Sequence, residues 1–258
     1  MLAEGLTKRA DLEASRARAH EDFDAAVARA FAPVSHDVTR AGDHVYGSAH
    51  ATATEETEPR SCGPEVRLID AVHRALDEEM TRDERIVVFG EDVANQHGGV
   101  FGVTRDLLER HGPERVFNSL LAENPIVGVA LGMAVAGLKP VVYIQFADYL
   151  FPAFAQIRNE VSMLRYRSEG RWSCPMVIRT PCGGYVGGGH YHSQSIEGFF
   201  THMPGLRVVY PSNAADAKGL LKAAIRGDDP VLFLEHKDLY RRREAARPEP
   251  DPDWVLPL

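Results

Sequence analysis

Apolar and polar positions follow three successive patterns along the chain. From Leu6 to Phe31, residues rich in Ala, Arg and Glu carry Leu12, Ala19, Phe23, Val27 and Phe31 at helical spacing. One amphipathic helix is expected, closed by Pro33. Between Pro33 and Pro64, the stretch AGDHVYGSAHATATEETEPRS has little periodic hydrophobicity and many turn formers, the composition of a linker. After Pro64, helical and extended patterns alternate.

In that third region the spacing predicts helices at Val66–Met80, Val103–His111, Val127–Gly137, Leu150–Tyr166 and Asp216–Ile225. Strands are expected at Arg85–Phe89, Pro140–Gln145, Met176–Arg179, Arg207–Tyr210 and Val231–Leu234. The strands are short and continuously apolar rather than alternating, which signals burial on both faces. The expected fold class is therefore α/β, a largely parallel sheet with helices on both faces. Ligands of such folds meet the loops at the strands' carboxyl ends. Those loops are 90–102, 120–125, 146–149 and 180–195. The domain reading is an N-terminal helical segment at 1–32, a linker at 33–64, the sheet domain at 65–243, and at 244–258 a truncated linker toward an absent C-terminal domain.

A formal net charge of −8 argues against nucleic acid or anionic lipid as partner, since both need a basic field. The one dense basic run, Arg241–Arg243, reads as a solvated segment end. Cys62, Cys174 and Cys182 show no CxxC spacing, so neither a disulfide framework nor a zinc ribbon is indicated. The first residues include acids and lack the apolar core of a secretory signal. A cytoplasmic protein without membrane insertion is expected.

Candidate chemistry collects in the four loops. In FGEDVANQHGGVFG, Glu91 and Asp92 stand at the mouth of a buried strand, where an acid meets a polar ligand or caps a turn. Glu123 precedes a nearly uncharged helix of Gly, Ala and Val, a pattern expected to be buried. Desolvation there would raise a carboxyl pKa and let it share a proton; the other reading is an acid stabilising the helix dipole. In IQFADYLFPAFAQI, Gln145, Asp148 and Tyr149 join a strand to a helix, while Phe146, Phe151 and Phe154 read chiefly as core. The run TPCGGYVGGGHYHSQS packs five glycines and two histidines into sixteen residues. It is no P-loop, and His190 and His192 lack further ligands at metal spacing, so a proton-transferring histidine is the better reading.

Seven blocks taken in order (GEDV, LLAENPIVGVALGMAVAGLKPV, QFADYLFPAFAQIRNE, RTPCGG, GGGHYHSQS, PGLRVVYPSNAADAKGLL and DDPVLFLEHKDLYR) resemble the beta subunit of 2-oxo acid dehydrogenases. The runs IQFADYLFPAF and YHSQS look most like the branched-chain group. The resemblance spans Val66 to Arg242 and implies a transketolase-like pyrimidine-binding, thiamine-diphosphate-binding fold. It implies that Glu123 hydrogen-bonds a ring nitrogen of the cofactor's pyrimidine and promotes its imino tautomer. Tyr149 would lie against that ring, with Glu91, Leu121 and Gln145 at other lining positions. His192 would assist acyl transfer to a lipoyl group.

The resemblance further implies partners: an alpha-type subunit or domain that holds the diphosphate and Mg2+ through a GDG motif, a lipoyl-bearing acyltransferase, and a 2-oxo acid substrate. No GDG motif occurs in these 258 residues. The segment before Val66 resembles, more weakly, the tail of an alpha subunit fused to a beta subunit. The chain is thus expected to be a component of an oligomer, a fragment of such a fusion, and inactive without an alpha-type partner. A non-catalytic fragment that keeps the fold, and a pyruvate- or transketolase-type enzyme, are the alternatives.

Overall fold

The computed structural model describes residues 7–32, 37–47 and 59–258. The chain divides into two compact units, 1–42 and 43–258. In the first, α1 spans Arg9–Ala30 and buries no residue. Its apolar stripe is thus solvent-facing, with Phe23 65% and Phe31 84% exposed. Pro33, expected to close this helix, lies outside the described residues.

The second unit contains β1 (Ser61–Val66), α2 (Leu68–Arg82), β2 (Ile86–Gly90), α3 (Leu107–His111), β3 (Val116–Asn118), α4 (Glu123–Val135) and β4 (Lys139–Tyr143). After these come α5 (Phe154–Gln156), α6 (Leu164–Arg167), β5 (Val177–Cys182), α7 (Glu197–Phe200), β6 (Arg207–Val209), α8 (Ala214–Arg226), β7 (Val231–His236) and β8 (Arg247–Pro250). Six strands form one sheet in the order β3-β2-β4-β5-β7-β6, and every pairing in it is parallel.

The central strands are apolar at every position because both faces are covered. Val87, Phe89, Val142, Ile144, Ile178, Leu232 and Leu234 pack into a core with Ile126, Val127 and Ala130 of α4 and with residues 147–161. Their strand neighbours Ile86, Val88, Val141, Val177, Val231 and Phe233 pack into a second core with Leu68, Val72 and Leu76 of α2 and Leu221 and Ile225 of α8. Alternate side chains leave a strand on opposite sides, so the partition into two cores is the sheet's own two faces. Helices on both faces are thereby established.

Strand order reverses beside β2. The chain runs from β2 outward to β3, then returns to lay β4 on the other side of β2. This is a topological switch point, where connections leaving in opposite directions open a crevice at the carboxyl ends of the two strands.

Several elements differ from their sequence expectation. Residues 150–166 do not form one helix. A 3-10 stretch at Ala147–Ala153 contains Pro152, whose missing N–H weakens helical pairing there. A π-turn follows at Ile157–Val161, where the Ser162 hydroxyl donates to the Arg158 carbonyl. The helix expected from Val127 starts at Glu123, which makes that carboxylate its first residue. Residues 244–258, expected as a linker, are packed. There β8 pairs antiparallel with β1, and the buried Trp254 donates its indole N–H to the Ala215 carbonyl at 3.1 Å. Part of the expected 33–64 linker is tied down as well, since the Gly47 amide donates to the Asp229 carboxylate. Residues 33–36 and 48–58 of that linker lie outside the described residues.

Candidate active site

Four of the six sequence-selected site residues form two hydrogen-bonded pairs above the carboxyl ends of β2, β4 and β5. Glu91 follows the last residue of β2 and is 1% exposed. Its Oε2 accepts the Gln145 backbone N–H at 2.8 Å, which joins the ends of β2 and β4 across the switch point. The other oxygen, Oε1, is buried without a hydrogen-bond partner. Burial pushes the Glu91 carboxyl up to about 7, opposed by the Gln145 hydrogen bond and reinforced by the negative charges of Glu123 and Asp92. A carboxyl of this kind exists in both protonation states near neutral pH, which suits proton exchange with a ligand.

The turn that aims Glu91 is strained by construction. Gly90 has φ of +143°, and a Cβ there would lie 2.2 Å from the Tyr143 carbonyl oxygen. Asp92 takes the left-handed conformation with φ of +58°, and its Oδ2 accepts from the Gln145 side-chain amide at 2.5 Å. Gln145 is thus fixed at both ends, by its backbone to Glu91 and by its side chain to Asp92. Sequence reasoning read Asp92 as ligand-facing or as a cap; the strand-then-Gly-Glu-Asp order was the available sign of a sharp turn.

Glu123 opens α4 in a half-buried position, near enough to Glu91 for its charge to act there. One expectation is corrected here. The uncharged α4 is not buried all round, since Val129 and Val135 are 51% and 45% exposed. Leu121 is 75% exposed and Leu120 85% exposed, so Leu121 stands at the surface two residues before Glu123.

The second pair is Tyr149 with His192, whose Oη and Nε2 lie 2.8 Å apart. His192 Nδ1 faces the Gly188 carbonyl at 3.1 Å. Because a carbonyl only accepts, the ring proton belongs on Nδ1 and Nε2 accepts from the Tyr149 hydroxyl. Phe146 packs against both rings, with its centroid 4.5 Å from that of His192 and 5.6 Å from that of Tyr149. Sequence reasoning placed Phe146 in the core; it is buried, yet it also forms the platform under the histidine. His190 does not join this group, and its contact is with Tyr191.

Beneath the site, Arg179 and Glu235 form a two-point ion pair that is wholly buried, at 2.7 and 3.0 Å. The Tyr240 hydroxyl adds a 2.5 Å bond to Glu235. This network ties β5 to β7 under the loops. Among the described residues, no group of three or more His, Cys, Asp or Glu side chains converges to hold a metal ion. No helix there is long and apolar enough to cross a membrane.

A parallel sheet with a buried carboxyl at its switch point defines an α/β domain whose candidate ligand site lies at the strands' carboxyl ends. The family model described as "Transketolase, pyrimidine binding domain" matches residues 65–243, and the chain belongs to that family. It is 52% identical over 190 residues to the 2-oxoisovalerate dehydrogenase subunit beta of Bacillus subtilis, covering 74% of this chain and 57% of that protein. The subunit of the same name from Pseudomonas aeruginosa is 52% identical over 173 residues, covering 67% of this chain and 49% of the relative. A pyruvate dehydrogenase E1 component subunit beta from Acholeplasma laidlawii is 48% identical over 183 residues, covering 71% and 56%. Among solved structures, a split-gene transketolase described as an inactive beta4 tetramer matches with a TM-score of 0.52 and 27% identity, over 66% of this chain and 50% of that one. The chain spans about half the length of the curated relatives it matches.

Proposed function

We propose that this chain is the beta-type component of a thiamine-diphosphate-dependent 2-oxo acid dehydrogenase, one that decarboxylates a branched-chain 2-oxo acid oxidatively and passes the acyl group to a lipoyl carrier. The observation that carries the reading is the carboxyl pair at the switch point: Glu91, held near pH 7 with a buried unpartnered oxygen, beside the half-buried Glu123 on the first residue of α4. These residues fit an aminopyrimidine, a flat ring whose nitrogens both donate and accept. Such a ring calls for carboxyls that can hold or release a proton and for aromatic side chains nearby, and Tyr149 and Phe146 supply the latter.

Thiamine diphosphate, when bound, supplies the electron sink for decarboxylation. Glu123 would hydrogen-bond a ring nitrogen of the pyrimidine through its carboxyl group. Glu91 and Gln145 line the ring, and the Glu91 carboxyl sets the local charge by keeping its own proton until the pH passes about 7. Tyr149 orients His192 through the bond to Nε2, which leaves that nitrogen ready to manage a proton during acyl transfer. The sequence contains no GDG motif, so the diphosphate and Mg2+ are assigned to an alpha-type partner. The exposed Leu120 and Leu121 beside Glu123 support a second chain closing the site, as does the exposed apolar face of α4. A cytoplasmic oligomer with an alpha-type subunit and a lipoyl-bearing acyltransferase follows from this reading.

The substrate is assigned from the relatives named for 2-oxoisovalerate, a branched 2-oxo acid; the 48% identity to a pyruvate dehydrogenase subunit favours pyruvate as the second reading. The test is cofactor binding and decarboxylation of branched 2-oxo acids against pyruvate, with and without an alpha-type partner, for wild type and Glu123→Gln. The expected result is partner-dependent activity that Glu123→Gln lowers by about 100-fold or more. Equal rates for the two proteins would remove Glu123 from the chemistry, and no decarboxylation with any tested alpha-type partner would remove the reaction class.

A further inference from the structure

Among the described residues, several buried polar atoms without a hydrogen-bond partner lie at or just beyond the carboxyl ends of β4, β5 and β7. Lys237 follows β7 directly, is 1% exposed, and its Nζ has no hydrogen-bond partner. Asp148, in the 3-10 stretch after β4, is 9% exposed, and both of its carboxylate oxygens are buried and unpartnered. Thr180 Oγ1, on β5 between them in sheet order, is equally bare. Burial lowers the pKa of Lys237, opposed first by Cys182 and then by Asp148, so both groups lie near enough to act on it electrostatically. An ammonium and a carboxylate withdrawn from water require partners, and ordered water is the partner that reaches groups not in direct contact.

Lys237 makes one defined approach to the site. Its Nζ stands 5.7 Å from the centroid of the Phe146 ring. The same ring packs against His192 and Tyr149. A cation over an aromatic ring is attracted by the ring's quadrupole, most strongly where water is excluded. Phe146 is therefore held between a buried ammonium and the two side chains proposed for acyl transfer. Asp148 lies between Phe146 and Tyr149 in sequence, on the same 3-10 stretch as Tyr149.

We propose that Lys237 is a positioning residue for the Tyr149–His192 pair, acting through Phe146, with its buried ammonium set over the Phe146 ring. The catalytic half of this proposal rests on the role given above to His192; the geometric half does not. Lys237 touches no reacting atom. Its substitution releases the Phe146 ring and leaves Asp148 as a lone buried carboxylate. The histidine then samples orientations in which Nε2 no longer meets the Tyr149 hydroxyl.

Two measurements separate the halves. In the chain itself, imidazole nitrogen resonances report whether His192 Nε2 accepts a hydrogen bond, and His192→Gln assigns the signal. Lys237→Met is expected to shift that resonance toward the solvent-exposed value, while Lys237→Arg, which keeps the cation, restores most of it. In the complex with an alpha-type partner, Lys237→Met is expected to lower lipoyl acylation by about 10- to 100-fold. Decarboxylation measured with an artificial electron acceptor should change less than about threefold. Should Lys237→Met not fold, Asp148→Asn serves in its place, with the same resonance shift expected at smaller size. An unmoved His192 resonance in the folded variant overturns the positioning role. A moved resonance with unchanged lipoyl acylation upholds it and removes His192 from acyl transfer. Equal losses in both half-reactions overturn the proposal in favour of a purely structural lysine.

Discussion

Glu91 and Gln145 stand on the ends of two paired strands, whereas His192 stands on a glycine-rich loop that leaves the sheet after β5. At the first place the backbone is fixed by the β2–β4 ladder up to Gly90 and Tyr143, the Glu91 N–H donates on to the Tyr143 carbonyl, and the Gln145 N–H is held by the Glu91 side-chain carboxylate. At the second place residues 184–191 are exposed. The loop is held at a few points: the Gly183 amide to the Gln194 carbonyl at 2.9 Å, Gln194 to the His190 carbonyl at 2.7 Å, and His192 to Tyr149. A carboxyl that must keep an unusual pKa needs a fixed, dry surrounding, because the shift comes from desolvation. A histidine with the role proposed for His192, meeting a carrier that arrives from outside, needs an accessible position and a few restraints.

The strongest way to break this comparison is to place the same substitution, glycine to alanine, in the rigid region. Gly90→Ala puts a methyl group 2.2 Å from the Tyr143 carbonyl oxygen, at a φ that residues with a Cβ rarely adopt. The ladder cannot yield without unpairing β2 from β4, so a loss of more than about 3 kcal/mol is expected. Urea denaturation measures it, and a loss under about 1 kcal/mol would show that the turn has slack.

A smaller effect probes the electrostatics of the same turn. The folded Glu91 carboxyl lies near 7 against an ordinary value of 4.5, so between those pH values the folded protein holds a proton that the unfolded chain has released. The group therefore favours folding fully below pH 4.5, and that contribution is lost as pH rises through 7. The loss amounts to about 3 kcal/mol at most. Glu91→Gln removes the titration while keeping an oxygen that accepts from Gln145. Its stability relative to wild type should rise from acid to alkaline pH, and midpoints of denaturation across that range test the sign. A difference independent of pH would remove the raised carboxyl.

How much of this was legible in the sequence depends on what kind of physics fixed each part. The two-sided sheet was legible because strands such as VVF and VLFL have no polar alternation, and burial on both faces is what permits that. The ribbon of β1 and β8 was not legible, because SCGPEV and RPEP carry prolines and charge and look like loop. Neither was β3, whose three residues make too short a run. The uncharged α4 misled because apolar composition predicts burial without saying by whom; a helix with Val129 and Val135 exposed reads the same as one sunk in its own core. Most site residues were legible as loop candidates and only their roles came through resemblance, but their pairing is tertiary: Glu91 and Gln145 are 54 positions apart, and Tyr149 and His192 are 43 apart. Lys237 gave no signal, since a buried ion over an aromatic ring has no sequence spacing, and Asp148 was singled out only as one of three polar or aromatic residues joining a strand to a helix.

The smallest expected effect completes the comparison from the loop side. Gly184 has no positive φ, and a Cβ there would meet nothing within 4 Å. Gly184→Ala therefore costs the folded state no clash and no strain, and it removes conformational freedom from the unfolded chain. A change between neutral and about 1 kcal/mol of added stability is expected. Whether the loop's glycines serve conformation or approach is then readable from activity: the stabilised variant should keep its lipoyl acylation rate in the partnered complex if His192 is positioned by Tyr149 and Phe146 alone. If acylation falls while stability rises, the loop's backbone freedom is itself part of how the carrier reaches His192, and the few restraints seen on the loop are a requirement of the chemistry.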